Sequence, residues 1–190
     1  MKNIVKDRIL ESIAVKYKIL NDDKLCQLIE VVCETIINAY KRGGKVILCG
    51  NGGSASDSLH IAGELVGRFQ KERKSLPAVV LNADVATMTA IANDYGYDEV
   101  FSRQVEGHMT EKDVLIVFST SGNSENIYKA VLKTKEIGGK TVGMLGMDGG
   151  KIKDIVDFPI IVPSNVTARI QESHITIGHI ICEIVEVALT

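Results

Sequence analysis

The sequence predicts an α/β fold, a five-stranded parallel sheet in flavodoxin-like order with helices on both faces. Two observations predict it. Five short β-rich runs are bounded by glycine or proline, and helix-like stretches lie between them. Strands that alternate with helices in this way are buried on both faces by their crossover connections.

Two amphipathic helices come first. Ile9, Ile13, Tyr17 and Leu20 recur at helical spacing. After the turn "NDDK", Leu25, Leu28, Ile29, Val32 and Ile36 repeat the pattern until "RGGK" stops it. The predicted strands are 45–49 (KVILC), 77–81 (PAVVL), 114–118 (VLIVF), 141–145 (TVGML) and 158–162 (FPIIV), with helical patterns after the first four. A long helix from about Thr167 to Leu189 closes the chain. Strand order 2-1-3-4-5 is the economical arrangement, and it places a ligand crevice between strands 1 and 3. The whole of 1–190 reads as one domain. Residues 1–42 form a helical segment outside the alternation, placed either to cap the sheet or to bury its stripes between subunits.

Composition excludes several classes of function. A net charge of -2 with interspersed signs leaves no basic footprint for nucleic acid or an anionic membrane, and tryptophan is absent. No apolar run approaches the ~20 residues needed to span a bilayer. Cys26, Cys33, Cys49 and Cys182 include no C-x-x-C pair, and Cys26 and Cys33, seven apart in an apolar helical pattern, read as buried free thiols of a reduced cytoplasmic protein.

Two turns follow strands and lead into helices. The first is "CGNGGSAS" after strand 1 and the second is "STSGNSEN" after strand 3. In the second, Ser119, Thr120, Ser121 and Ser124 offer hydroxyls, and Gly122 permits a tight turn. The helix opening near Ser124 points free N–H groups back into the loop. Such a site suits a phosphate that is held rather than transferred, although Ser124 could also serve only as a helix cap. Nucleotide binding is not indicated. "GGKT" at 138–141 enters a strand and lacks the first P-loop glycine, and "GNGGSA" carries Ala55 where the dinucleotide fingerprint ends in glycine.

A helix over 57–70 would put His60 and Glu64 one turn apart on one face, as a solvated pair or as part of a ligand site. The last helix carries Gln171, His174 and His179 among apolar neighbours. A histidine buried there needs a hydrogen-bond partner or a metal. Gln171 and His179 are separated by a rise of about 12 Å on an ideal helix. They can share one ion only if Gln171 reaches inward, and otherwise they serve sites in different subunits. His174 and His108 have no second supporting feature and read as structural or exposed.

Together "CGNGGSASDSLHIAGEL", "AIANDYGYDEVFSRQVE", "STSGNS" and "ARIQESHITIGHI" resemble, in order and across nearly the whole chain, the phosphoheptose isomerases of the sugar-isomerase (SIS) domain group. The resemblance implies a homotetramer with active sites at subunit contacts, and a reaction that converts D-sedoheptulose 7-phosphate to D-glycero-D-manno-heptose 7-phosphate. That is the first step of nucleotide-activated heptose synthesis. Matched by position, it implies one divalent ion per subunit, zinc, held by His60, Glu64, Gln171 and His179. It implies contacts to the phosphosugar from Asn51, Gly52, Gly53, Glu64, Asn93, Asp94, Ser119, Thr120, Ser121, Ser124 and Gln171. Ala168 departs from the family, some members of which carry an acidic residue there.

Proton transfer between C1 and C2 through an enediolate needs a carboxylate and an imidazole tuned by their surroundings. Glu64 and His179 are the expected catalytic pair. Two alternatives stand beside this reading. One is a non-catalytic SIS protein that binds a sugar phosphate or a protein partner. The similar replication-initiator-associating SIS proteins lack counterparts of Glu64 and His179. The other is an isomerase of a different phosphosugar, because a phosphate turn measures neither sugar length nor stereochemistry.

Overall fold

The computed structural model describes residues 3–190. Helices α1 (Ile4–Leu20) and α2 (Asp23–Lys41) precede β1 (Val46–Gly50), α3 (Gly53–Val66) and β2 (Ala78–Val80). Then come α4 (Val85–Tyr95), α5 (Ser102–His108), β3 (Val114–Ser119), α6 (Glu125–Ile137), β4 (Lys140–Leu145), β5 (Phe158–Ile161) and α7 (Thr167–Leu189). The strands form one parallel sheet in the order β2-β1-β3-β4-β5, as the sequence predicts.

Strand alternation builds two cores. Val46, Leu48, Val114, Ile116, Phe118, Val142 and Met144 face α2, α3 and α7. Ile47, Cys49, Leu115, Val117 and Leu145 face α5 and α6. Helix α2 starts where the Asp22 carboxylate accepts the Leu25 N–H at 3.0 Å. Its predicted stripe is buried except for the half-buried Leu28. In α1 the predicted stripe faces outward, with Ile9, Ile13, Tyr17 and Leu20 each more than half exposed.

Two predicted helices differ from those observed. The helix expected over 57–70 runs from Gly53 to Val66, because buried Glu186 draws the N–H groups of Phe69, Gln70 and Lys71 out of any helix. After β4 there is only a three-residue 3-10 turn, Ile152–Asp154. Met147, Gly149 and Gly150 all have positive φ there, which breaks a helical path. Among the described residues no helix is long and apolar enough to cross a membrane.

Candidate active site

Adjacent strands β1 and β3 end side by side, Gly50 pairing with Phe118, so the two polar turns are neighbours at the carboxyl ends of the strands, where α/β sheets place ligands. In the β3 turn, Ser119 Oγ accepts the Gly122 N–H at 3.2 Å and lies 3.4 Å from Ser124 Oγ. Ser121 Oγ accepts the Asn123 N–H at 3.2 Å. Thr120 lies between them, half-buried. Ser124 is the N-cap residue of α6, yet its side chain makes no capping bond. Gly122 has φ of 66°, and a Cβ there would sit 2.0 Å from the Gly149 carbonyl oxygen. The segment after β4 therefore presses on the turn and holds its shape, with Ile152 N–H donating to the Gly122 carbonyl at 3.0 Å.

The β1 turn is locked by groups remote in sequence. Asn51 and Asn126 exchange amide hydrogen bonds at 2.9 and 3.0 Å, and Tyr97 Oη donates to Asn51 Oδ1 at 3.0 Å. Gly52 follows with φ of 56°, and Gly53 opens α3. Asn93 and Asp94 are exposed near the end of α4, where the Asn93 amide donates to the Asp94 carboxylate at 2.8 Å. Neither Asn126 nor Tyr97 is legible as a site residue, since no local pattern signals a partner so far along the chain.

Further along α3, three donors meet. His60 Nε2 lies 3.1 Å from Glu64 Oε1 and 3.1 Å from His179 Nε2. All three ligand atoms are within 4.8 Å of one another. Phe69 stacks on the His179 ring with centroids 5.7 Å apart. Two imidazoles and a carboxylate converging on one point suit a divalent metal, which takes neutral imidazole and ionised carboxylate as ligands. One turn before His60, Asp57 Oδ2 is buried without a hydrogen-bond partner among the described residues. Burial pushes the Asp57 carboxyl up, against the lowering effect of His60.

Gln171 lies elsewhere. A Cβ on Gly53 would come within 2.4 Å of its Nε2. Gly53 and His60 are seven residues apart on α3, about 10 Å along the axis. One chain thus places Gln171 at the glycine turn and the His60–Glu64–His179 cluster two turns away. His174 is buried, and its Nε2 meets the Leu145 carbonyl at 2.9 Å.

The SIS-domain family model matches residues 17–146. The phosphoheptose isomerase of Clostridium acetobutylicum is 55% identical over 186 residues, 98% of this chain and 95% of that protein. That of Aneurinibacillus thermoaerophilus is 51% identical over 189 residues, covering 100% and 96%. Among solved structures, a phosphoheptose isomerase from Neisseria gonorrhoeae superimposes with a TM-score of 0.92 at 38% identity, covering 98% of each chain. One from Francisella tularensis gives 0.92 at 36% identity, covering 96% of each. Full-length likeness at this level reaches α7, beyond the part that the domain model matches, and the chain belongs to the phosphoheptose isomerase family of SIS-domain proteins.

Proposed function

We propose that the chain is an aldose–ketose isomerase that converts D-sedoheptulose 7-phosphate to D-glycero-D-manno-heptose 7-phosphate through an enediolate. The observation that carries this reading is the meeting of His60 and Glu64 with His179, which is 119 residues beyond His60. The protein names carried by its relatives support the substrate.

Asn51, Gly52, Gly53, Asn93, Asp94, Ser119, Thr120, Ser121 and Ser124 are the proposed contacts to the phosphosugar. The β3 turn holds the phosphate with hydroxyls and N–H groups instead of a formal cation. Zinc, one ion per subunit, is the proposed metal. Three protein donors leave a coordination position for substrate, and bound zinc supplies positive charge that offsets charge developing on the two reacting oxygens. Glu64 carries the proton between C1 and C2, and His179 moves the proton between their oxygens. In this proposal Gln171, which rests against Gly53, contacts the phosphosugar at that turn and is not a ligand of its own chain's His60–Glu64–His179 cluster.

The assembly proposed is a homotetramer of single SIS domains (1–190), with residues 1–42 as the associating segment. The outward stripe of α1 supports it, together with an apolar groove of about 610 Å³ lined by Ile13, Tyr17, Leu20, Ile29, Ile177 and Ile180. Stripes of this kind are normally covered. The four cysteines are free thiols, three of them buried, which supports a cytoplasmic location.

The experiment is incubation with sedoheptulose 7-phosphate in D₂O, with and without zinc, followed by NMR. Aldose product with deuterium exchange at C1 and C2 is expected. Absence of both under every metal condition would overturn the enzymatic reading in favour of a sugar-phosphate sensor.

A further inference from the structure

Eleven residues, 67–77, connect α3 to β2 without helix or strand. This connection is tied down by one buried ion pair. Arg73 and Glu186 have side chains only 4% and 2% exposed, and Arg73 Nε donates to Glu186 Oε1 at 2.9 Å. Burying such a pair is a poor way to gain stability, because desolvation of both charges offsets their attraction. Its geometry points to a different use.

Arg73 reaches the end of α3. Its Nη2 donates to the Glu64 carbonyl at 2.8 Å and its Nη1 to the Leu65 carbonyl at 2.9 Å. These carbonyls belong to the last turn, where a helix has no internal donors left and where positive charge is favourable. Glu186 gathers the rest of the connection. Its Oε1 accepts the Phe69 N–H at 2.9 Å, and its Oε2 accepts those of Gln70 and Lys71 at 2.7 and 2.9 Å.

Both ends of the pair sit beside metal donors. Glu64, whose carbonyl Arg73 holds, contributes its carboxylate to the cluster. Glu186 lies seven residues beyond His179 on α7, two turns along the same face. Phe69, whose N–H Glu186 holds, stacks its ring on His179 at 5.7 Å. A path of short contacts therefore runs Glu64–Arg73–Glu186–Phe69–His179 and joins the two helices that carry the donors.

We infer that Arg73 and Glu186 are positioning residues that set the separation and orientation of Glu64 and His179, and through them the affinity of the cluster for its metal. This inference rests on the reading that His60, Glu64 and His179 hold a divalent ion. Lysine cannot reproduce the Arg73 fork, because one ammonium cannot reach the Glu186 carboxylate and two helix-end carbonyls in the same directions. Glutamine at 186 keeps the shape but turns an NH₂ toward backbone N–H donors.

The test is zinc affinity, measured by competition with a chromophoric chelator, in the full-length wild type, Arg73→Lys and Glu186→Gln. Visible spectra of the cobalt-loaded proteins report ligand geometry alongside. Each variant is expected to lose about 10–100-fold in zinc affinity, the size of effect seen for groups behind metal ligands. Its cobalt bands should shift, and kcat should fall with little change in KM. Val185→Ala, a cavity in α7 beside Glu186 but outside the path, should lower Tm and leave zinc affinity within about twofold, since its loss is only core packing. If the ion-pair variants do not fold, Phe69→Leu keeps every backbone bond and removes only the ring, and a several-fold loss of affinity is then expected. Unchanged affinity and spectra in folded variants would overturn the inference while leaving the metal reading intact. A wild type that binds no zinc would overturn the metal reading itself.

Discussion

Gly178 lies against Ile61, so closely that a Cβ at 178 would come 2.5 Å from Ile61 Cδ1 and 2.9 Å from its Cγ1. Here α3 and α7 pack closely, and the chain neighbours of these two residues are His60 and His179. Glycine normally weakens a helix interior by roughly 1 kcal/mol against alanine. Here it buys the proximity that lets the two imidazoles meet at 3.1 Å. Ile61 is 2% exposed and has nowhere to turn. Gly178→Ala should therefore lose about 1–3 kcal/mol from overpacking and reduce zinc affinity at least tenfold. Adding Ile61→Val removes Cδ1, the nearer of the two contacts, and should restore part of both, which chemical denaturation and chelator competition would show. A stabilised Gly178→Ala with wild-type affinity would contradict this account.

Glu64 makes one side-chain hydrogen bond, to His60, and a quarter of its side chain is exposed. Little of the fold depends on its charge. Glu64→Gln should keep the wild-type circular dichroism spectrum and a Tm within a few degrees. Its kcat should fall by about 10²–10⁴-fold, the range for loss of a general acid–base group. Near-wild-type turnover would remove Glu64 from the proton path.

The proposed phosphate contact of Ser124 can be tested apart from its place in the fold. It occupies an N-cap position, where serine-to-alanine changes usually cost about 1 kcal/mol. Its hydroxyl makes no capping bond and instead lies 3.4 Å from Ser119 Oγ in the turn. Ser124→Ala should change unfolding free energy by less than about 0.5 kcal/mol. Loss of a hydrogen bond to a charged phosphate is worth about 1.5–3 kcal/mol, so KM for the phosphosugar should rise at least tenfold. Titration calorimetry with inorganic phosphate would check the same contact without turnover.

What the sequence reveals here depends on distance along the chain. Strands, turns and α7 carry their signals within ten or twenty residues, and the observed sheet order agrees with the predicted one. His60 and Glu64 share a helix face by spacing alone. Their meeting with His179 depends on how α3 packs on α7, which no local period encodes. The stripe on α1 was readable as apolar, but the chain alone does not bury it. Arg73 and Glu186 are not legible as partners in the sequence, because their bond spans 113 residues. One trace was present: Glu186 interrupts an apolar helix face between Cys182 and Leu189, and a carboxylate there is nearly always paired. The helical pattern expected after β4 is overridden by "GMDGG", where two glycines and Met147 take positive φ.

Two buried groups give stability a defined acid dependence. Burial lowers His174 from 6.5 to about 4, although its bond to the Leu145 carbonyl works the other way. The native state therefore binds fewer protons here than the unfolded chain, and stability present above pH 6.5 is lost as pH falls toward 4. The slope from this one group is at most about 1.4 kcal/mol per pH unit. Glu186 acts lower. Burial opposes its ionisation, but the Gln70, Phe69 and Lys71 N–H groups and the Arg73 guanidinium outweigh that and take it from 4.5 to about 2. Its contribution is complete above pH 4.5 and disappears as pH falls through about 2. Urea denaturation across pH 7 to 2 should show both losses in succession. His174→Gln, whose amide can still donate to Leu145 without titrating, should flatten the upper stage and leave the lower one. An unchanged upper stage in that variant would assign the loss to another histidine. The lower stage should disappear in Glu186→Gln, which lacks the proton to gain and starts from a weaker clamp.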